Sequence, residues 1–309
     1  MASPNTEISR LVLGTAQFGE KYGVANRTGK PDTVTAEYIV AEAWKGGIRE
    51  FDTAQGYGDS EIVLGKALNS LGIAADAKVI SKFHPRINHS DPVSLRQALE
   101  QTLVHLGIPK LYGLMLHRED LLNLWDAGLK ETFLGFIDDG LTEHLGVSVY
   151  TPEKAIQALK KDGINLVQVP SNLLDRRFEN AGVFSEAARC GKGIYVRSVF
   201  LQGLLIMNVR DLPESMQFAT PVIKRLATFA EKTGFSLKQL ALGYVRSAYL
   251  GHKVMFGSET VQQVRENLLL WTTQLPLDVV AKVRGEFGNV PEKILNPTFW
   301  EDTPRPKRG

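Results

Sequence analysis

Four residues in this 309-residue chain have types and spacing that could do chemistry together: Asp52, Tyr57, Lys82 and His117. Asp52 follows Phe51 at the end of an apolar run in FDTAQGYGDSE, residues 51–61, and Tyr57 sits between Gly56 and Gly58 in a tight turn that pushes its ring outward. Lys82 lies inside the apolar run Ile80-Ser81-Lys82-Phe83, where an ammonium is costly unless paired, and the nearest counter-charge is Asp52. His117 closes Leu114-Met115-Leu116. Alone, each has a plain structural reading: a turn cap, a packed ring, a snorkelling lysine, a satisfied core histidine. Together they have an acid–base logic. A tyrosine with a pKa of about 10 is a poor acid at neutral pH, and an adjacent ammonium is expected to favour phenolate and bring it toward the working range. Asp52 would keep Lys82 charged and oriented, and His117 would hold a carbonyl oxygen near the tyrosine hydroxyl. Such a group protonates an alkoxide as it forms, which suits reduction of a carbonyl by an external hydride donor.

Those positions need a scaffold that ends several strands at one place. Short apolar runs alternate with amphipathic stretches along the chain. Strands are expected at Leu11–Phe18, Arg49–Ala54, Lys78–Phe83, Leu111–His117, His144–Val149, Leu166–Ser171, Ile194–Val199 and Lys253–Gly257. Helices are expected at Thr35–Trp44, Ser60–Leu71, Pro92–Leu106, Asp120–Asp139, Thr151–Lys161, Asn180–Cys190, Val222–Gly234 with Leu237–Tyr249, and Val261–Leu270. Eight strand–helix units over about 260 residues predict an α/β fold of the (β/α)8 TIM-barrel kind, with chemistry at the carboxyl ends of the strands. A doubly wound sheet would announce itself by G-x-G-x-x-G after the first strand, and neither Gly56-Tyr57-Gly58 nor Gly191-Lys192-Gly193 completes that pattern. The expectation is one barrel domain over residues 1–309, with its core at about 8–275, a further helix at Leu277–Phe287 and a frayed tail ending in PRPKRG.

Composition narrows the partners. Lys+Arg number 36 and Asp+Glu 34, so the net charge is 36 − 34 = +2, which offers no basic footprint for nucleic acid or an anionic membrane. A chain that is 43% hydrophobic and 23% charged is globular rather than disordered. No apolar run reaches membrane-spanning length, the start MASPNTEISR lacks a secretory pattern, and Cys190 has no second cysteine to bridge, so a cytoplasmic protein acting on a small molecule is expected. The 28 glycines against 14 prolines point to repeated turns at strand and helix ends. His84 and His89 flank Pro85-Arg86-Ile87-Asn88 without a carboxylate partner, so no metal site is expected there.

In order and placement, Asp52, Tyr57, Lys82 and His117 resemble the catalytic tetrad of the aldo-keto reductases. The resemblance extends through Gly14-Thr15, Phe18-Gly19, Asp52-Thr53-Ala54, Gly146-Val147-Ser148, Gln168, Gly203-Leu204-Leu205 and FGSETVQQVREN, residues 256–267. It implies NAD(P)H extended across the barrel mouth, with Tyr57 as general acid in reduction and general base in oxidation. Thr15 falls within the implied cofactor site. Ser148 and Gln168 would hold the nicotinamide carboxamide, and Ser198, Val199, Phe200 and Gln202 match the loop over the pyrophosphate. Gly257, Ser258, Gln263, Glu266 and Asn267 match the adenosine end. The chain departs from the pattern in three places. Ser148-Val149 stands where many members have Ser-Asn, and Arg197 stands where an aromatic stacks on the nicotinamide. An arginine against that ring would tilt binding toward the reduced form. The basic residues that receive a 2′-phosphate are missing at Gly257 and Gln263, while Glu259 adds negative charge and Arg265 is the nearest replacement. NADPH is the expectation on family frequency, with NADH as its rival. The rim segment YGVANRTGKP, residues 22–31, is similar to that of bacterial members associated with polysaccharide pathways and hints at a sugar derivative as the carbonyl substrate; residues Phe200–Thr220 form the second specificity stretch. The family also contains cofactor-sensing regulatory subunits, the alternative to an enzyme.

Overall fold

The computed structural model describes residues 7–300, so the PRPKRG tail lies outside the described residues. Eight parallel strands close a barrel in sequence order: β1 (Leu11–Gly14), β2 (Glu50–Asp52), β3 (Lys78–Lys82), β4 (Leu111–Leu116), β5 (Thr142–Ser148), β6 (Leu166–Pro170), β7 (Gly193–Arg197) and β8 (Lys253–Gly257). β1 closes the ring by pairing with β2 on one side and β8 on the other, with Gly14 opposite both Asp52 and Gly257. The strands are near-continuous apolar runs because both faces are covered. Val12, Ile80, Met115, Leu166, Tyr195 and Met255 fill the barrel interior, and the larger apolar layer lies between the sheet and the surrounding helices.

The helices begin where the sequence caps them. Asp32, Asp91, Thr151 and Thr260 each accept a backbone N–H with a side-chain oxygen, Pro92 and Pro152 open their helices, and Ser236 with Gln239 forms a capping box. Pro92–Leu106 and β8 have the expected limits, and a helix at Leu277–Glu286 packs outside the barrel.

Three expected elements differ. The first strand stops at Gly14, because Thr15 leaves the extended conformation and Ala16–Gly19 makes one helical turn. The expected helix Asp120–Asp139 is two 3-10 turns, Glu119–Asn123 and Trp125–Ala127, followed by Leu129–Asp138. The break falls at Gly128, whose φ of 109° no helix accommodates. Asn180–Cys190 divides into Arg177–Asn180 and Val183–Cys190 around Gly182.

At the amino ends of the strands, Glu50 accepts hydrogen bonds from Tyr195 Oη at 2.8 Å and Lys253 Nζ at 2.5 Å. This polar layer ties β2, β7 and β8 together at the end of the barrel away from the expected chemistry.

Candidate active site

β2 ends in Asp52, β3 ends in Lys82, and His117 directly follows β4. Neighbouring strand ends therefore deliver three of the four residues, and the 54–60 turn brings in the fourth. Lys82 is fully buried and Asp52 nearly so. Lys82 Nζ donates to Asp52 Oδ1 at 2.7 Å, to Asp52 Oδ2 at 2.6 Å and to the Thr53 carbonyl at 3.0 Å. Gln168 Nε2 adds a fourth contact, donating to Asp52 Oδ1 at 2.9 Å, and Gln168 Oε1 accepts from Ser148 Oγ at 3.2 Å.

Tyr57 stands over this cluster. Lys82 Nζ is 5.2 Å from the centre of its ring, and the His117 ring meets it edge-on with centroids 5.5 Å apart. The turn that carries Tyr57 is pressed against Gly19. A Cβ on Gly19 would lie 1.5 Å from the Tyr57 carbonyl oxygen, and a Cβ on Gly58 would lie 2.6 Å from the Gly19 carbonyl oxygen. Backbone meets backbone there with no room for a side chain, so the helical turn after β1 sets the height of Tyr57.

The electrostatics differ from the sequence expectation in one respect. Burial pushes Tyr57 well above its ordinary value, and the Asp52 charge pushes it further the same way. Burial is the larger of these two causes. An ammonium has three protons to donate, and all three are committed to Asp52 and Thr53, so none faces the phenol and the positive charge is offset where it sits. Burial likewise pulls Lys82 below its ordinary value, with Asp52 opposing. His117 is pulled down to about 3, first by burial and then by Lys82 and Arg197, so it is neutral at physiological pH. Its Nδ1 is buried without a partner.

A cavity of about 180 Å³ runs from these residues across the strand ends. It is lined at one end by Asp52, Tyr57, Tyr22, Gln168 and Arg197, and at the other by Lys238, Gly257, Glu259, Gln263 and Asn267, with Thr15 and Ser198 along its length. Ser148, Lys82, His117, Ser258 and Glu266 stand behind that lining rather than in it. Thr15 is buried, and its hydroxyl donates to the Asp52 carbonyl at 2.9 Å. Arg197 lays its guanidinium over Tyr150, 4.4 Å from the ring centre, and its Nη2 donates to the Val149 carbonyl at 3.2 Å. Glu266 is ion-paired with Lys238. Arg265 points away and donates to Glu42 at 3.0 Å. Gln263 Oε1 accepts the Glu259 backbone N–H at 2.6 Å.

Sequence reading passed over Tyr22 and Lys238 as individual site residues. Tyr22 was inside a rim segment read as a whole, and Lys238 gave no signal beyond its place in a capped first turn. His84 Nδ1 accepts the Arg86 N–H at 3.1 Å, and His89 packs edge-on against Phe83. Among the described residues, no group of three or more His, Cys, Asp or Glu is arranged to hold a metal, and no helix is long and apolar enough to cross a membrane.

Two loops roof the cavity. The loop after β7 contains Ser198, Leu201 and Gln202 at φ of 63°, 48° and 55°, the only non-glycine residues with positive φ among those described. Such conformations are held in place by their surroundings and cluster at ligand sites. The segment 20–31 crosses this loop: Ala25 N donates to the Gln202 carbonyl at 3.4 Å, Arg27 Nη2 to the Asp211 carbonyl at 2.9 Å, and Thr28 Oγ1 to Glu259 Oε2 at 3.3 Å. Residues Leu204–Ala219 carry three separate 3-10 turns.

An elongated dinucleotide fits these residues. Ser258 Oγ and Asn267 Oδ1 are buried polar atoms without partners at one end, and the acid–base cluster occupies the other.

The chain is similar to a protein described as a candidate voltage-gated potassium channel β subunit from Schizosaccharomyces pombe, 25% identical over 87% of each chain. It is 32% identical to an NAD(P)H-dependent 6′-deoxychalcone synthase from Glycine max, over 54% of this chain and 60% of that one. The solved structure of a glycerol dehydrogenase from Gluconobacter oxydans superposes with a TM-score of 0.73 at 21% identity, covering 91% of this chain and 93% of that one, and shares the fold. The profile of the aldo/keto reductase family matches residues 10–285, and the chain belongs to that family of NAD(P)-dependent oxidoreductases.

Proposed function

We propose that this chain is a cytoplasmic reductase that converts an aldehyde, ketone or sugar carbonyl to the alcohol, with Tyr57 as the proton donor. The observation that carries the reading is the buried Lys82–Asp52–Gln168 cluster beneath Tyr57, with His117 edge-on to the same ring. A bound reduced nicotinamide supplies the hydride. Tyr57 gives its hydroxyl proton to the carbonyl oxygen as negative charge develops there. Its raised pKa keeps it protonated until that oxygen becomes the stronger base. The Lys82 charge, held by Asp52, stabilises the phenolate left behind. Neutral His117 carries one N–H and offers it to the same oxygen, orienting the carbonyl toward Tyr57.

Ser148 and Gln168 would hold the carboxamide, with Arg197 flanking the nicotinamide from its seat on Tyr150. Ser198 and its loop would cover the pyrophosphate, and Ser258, Gln263, Glu266 and Asn267 would take the adenosine. Tyr22 and the 20–31 segment form the substrate rim, and their polar character supports a sugar derivative. The choice between NADPH and NADH turns on the adenosine end of the cavity.

Loss of absorbance of each reduced dinucleotide with a panel of aldehydes, ketones and sugars tests the reading. Turnover is expected with at least one carbonyl, and Tyr57→Phe is expected to lower kcat by about 100-fold or more. Turnover that survives the substitution removes Tyr57 from the role. The similarity to a channel β subunit favours a second reading, a dinucleotide-sensing regulatory subunit. Tight dinucleotide binding without turnover on any carbonyl would select that reading instead.

A further inference from the structure

We propose that Glu259 makes this protein selective for NADH over NADPH. The inference rests on the reading of the cavity as a dinucleotide site and concerns only its adenosine end. Glu259 lines the cavity there beside Gly257, Gln263 and Asn267. Thr28 Oγ1 donates to its Oε2 at 3.3 Å, which fixes one carboxylate oxygen. Burial pushes the Glu259 carboxyl up from its ordinary value, and the contacts that oppose this, Thr28 and Gln263, are both uncharged. Among the described residues, its hydrogen-bonding side-chain partners carry no positive charge.

The basic side chains nearest this end on the two helices are already ion-paired. Lys238 is ion-paired with Glu266, and Arg265 reaches away to Glu42 at 3.0 Å with its side chain more than half exposed. Gln263, on the helix that follows β8, accepts the Glu259 backbone N–H with its carboxamide oxygen at 2.6 Å and carries no positive charge, and Gly257 has no side chain to offer. A 2′-phosphate carries between one and two negative charges at neutral pH and would meet a half-buried carboxylate, with Lys238 of the same lining already paired to Glu266. A ribose with free 2′- and 3′-hydroxyls meets the opposite situation. A carboxylate accepts hydrogen bonds from a diol, as acidic residues do in dinucleotide sites of other folds. Glu259 therefore attracts the unphosphorylated ribose and repels the phosphorylated one.

Isothermal titration of the full-length protein with NADH and with NADPH, in the absence of any carbonyl, tests this directly. The wild type is expected to bind NADH at least about tenfold more tightly, which corresponds to about 1.4 kcal/mol. Glu259→Gln keeps the shape and removes the charge, so it should narrow the ratio, mostly by tightening NADPH. Glu259→Lys should reverse it. Equal or tighter binding of NADPH by the wild type overturns the selectivity and leaves the reductase reading standing. A ratio unchanged in both variants overturns the assignment to Glu259. Failure of both dinucleotides to bind overturns the dinucleotide reading itself.

Discussion

Lys82 shows how a residue's role is set by the count of its donors. With three protons engaged by Asp52 and Thr53, it acts on Tyr57 as a fixed charge across the ring face rather than as a hydrogen-bond donor. His117 is the residue whose protonation most exposes the cost of building the site. Its pKa falls from 6.5 to about 3 on folding, so the unfolded chain takes up a proton first as the pH drops. The stability tied to this histidine is complete above about pH 6.5 and is lost progressively as the pH falls toward 3, at about 1.4 kcal/mol per pH unit. His117→Gln should remove that slope. Denaturant midpoints measured from pH 7 to pH 5 check it, and parallel slopes for the two proteins would contradict the assignment. The convergence of Asp52, Tyr57, Lys82 and His117 at neighbouring strand ends was legible in the sequence. The direction in which Tyr57 is shifted was not, because it is set first by how deeply the ring is buried and then by the Asp52 charge, and spacing along the chain reports neither. The side of its helix that Arg265 occupies was equally hidden, since spacing places a residue on a helix but does not say what stands opposite.

At the scale of elements, the strands were legible because a buried parallel strand is a continuous apolar run, and their limits fell within a few residues of expectation. Helix interruptions at Gly128 and Gly182 were missed, since both flanks carry helix-forming residues and only the backbone angle separates them. The contact between the turn after β1 and the turn of Tyr57 was also unreadable, because it joins segments about 40 residues apart through glycines that look like any others. It carries a prediction. In Gly19→Ala, the new methyl must displace the Tyr57 carbonyl, and kcat should fall at least about tenfold while dinucleotide affinity changes little. Gly135→Ala is the control. Gly135 lies within Leu129–Asp138 with open space around it, and the substitution should raise stability by about 0.5–1 kcal/mol with kcat unchanged. Single-turnover rates and titrations separate the two effects, and an unaltered rate in Gly19→Ala would break the link between this contact and Tyr57.

For the whole molecule, the barrel divides its work between two ends. The amino end holds the Glu50, Tyr195 and Lys253 layer, and Glu50 is only 4% exposed. Glu50→Gln leaves the Lys253 ammonium without its counter-charge, so the unfolding free energy should drop by about 1–3 kcal/mol while turnover per folded molecule stays unchanged. Urea unfolding followed in parallel with the carbonyl assay checks this, and a matching loss of turnover would show that the two ends are coupled. The carboxyl end is closed by segment 20–31, which touches Gln202 over the β7 loop and Glu259 over the β8 loop. On the proposed function, one stretch of chain would border both the opening for the carbonyl and the far end of the nucleotide. Breadth of substrate choice and residence time of the nucleotide would then be tied together: shortening the segment to admit bulkier carbonyls would also loosen the grip on the nucleotide.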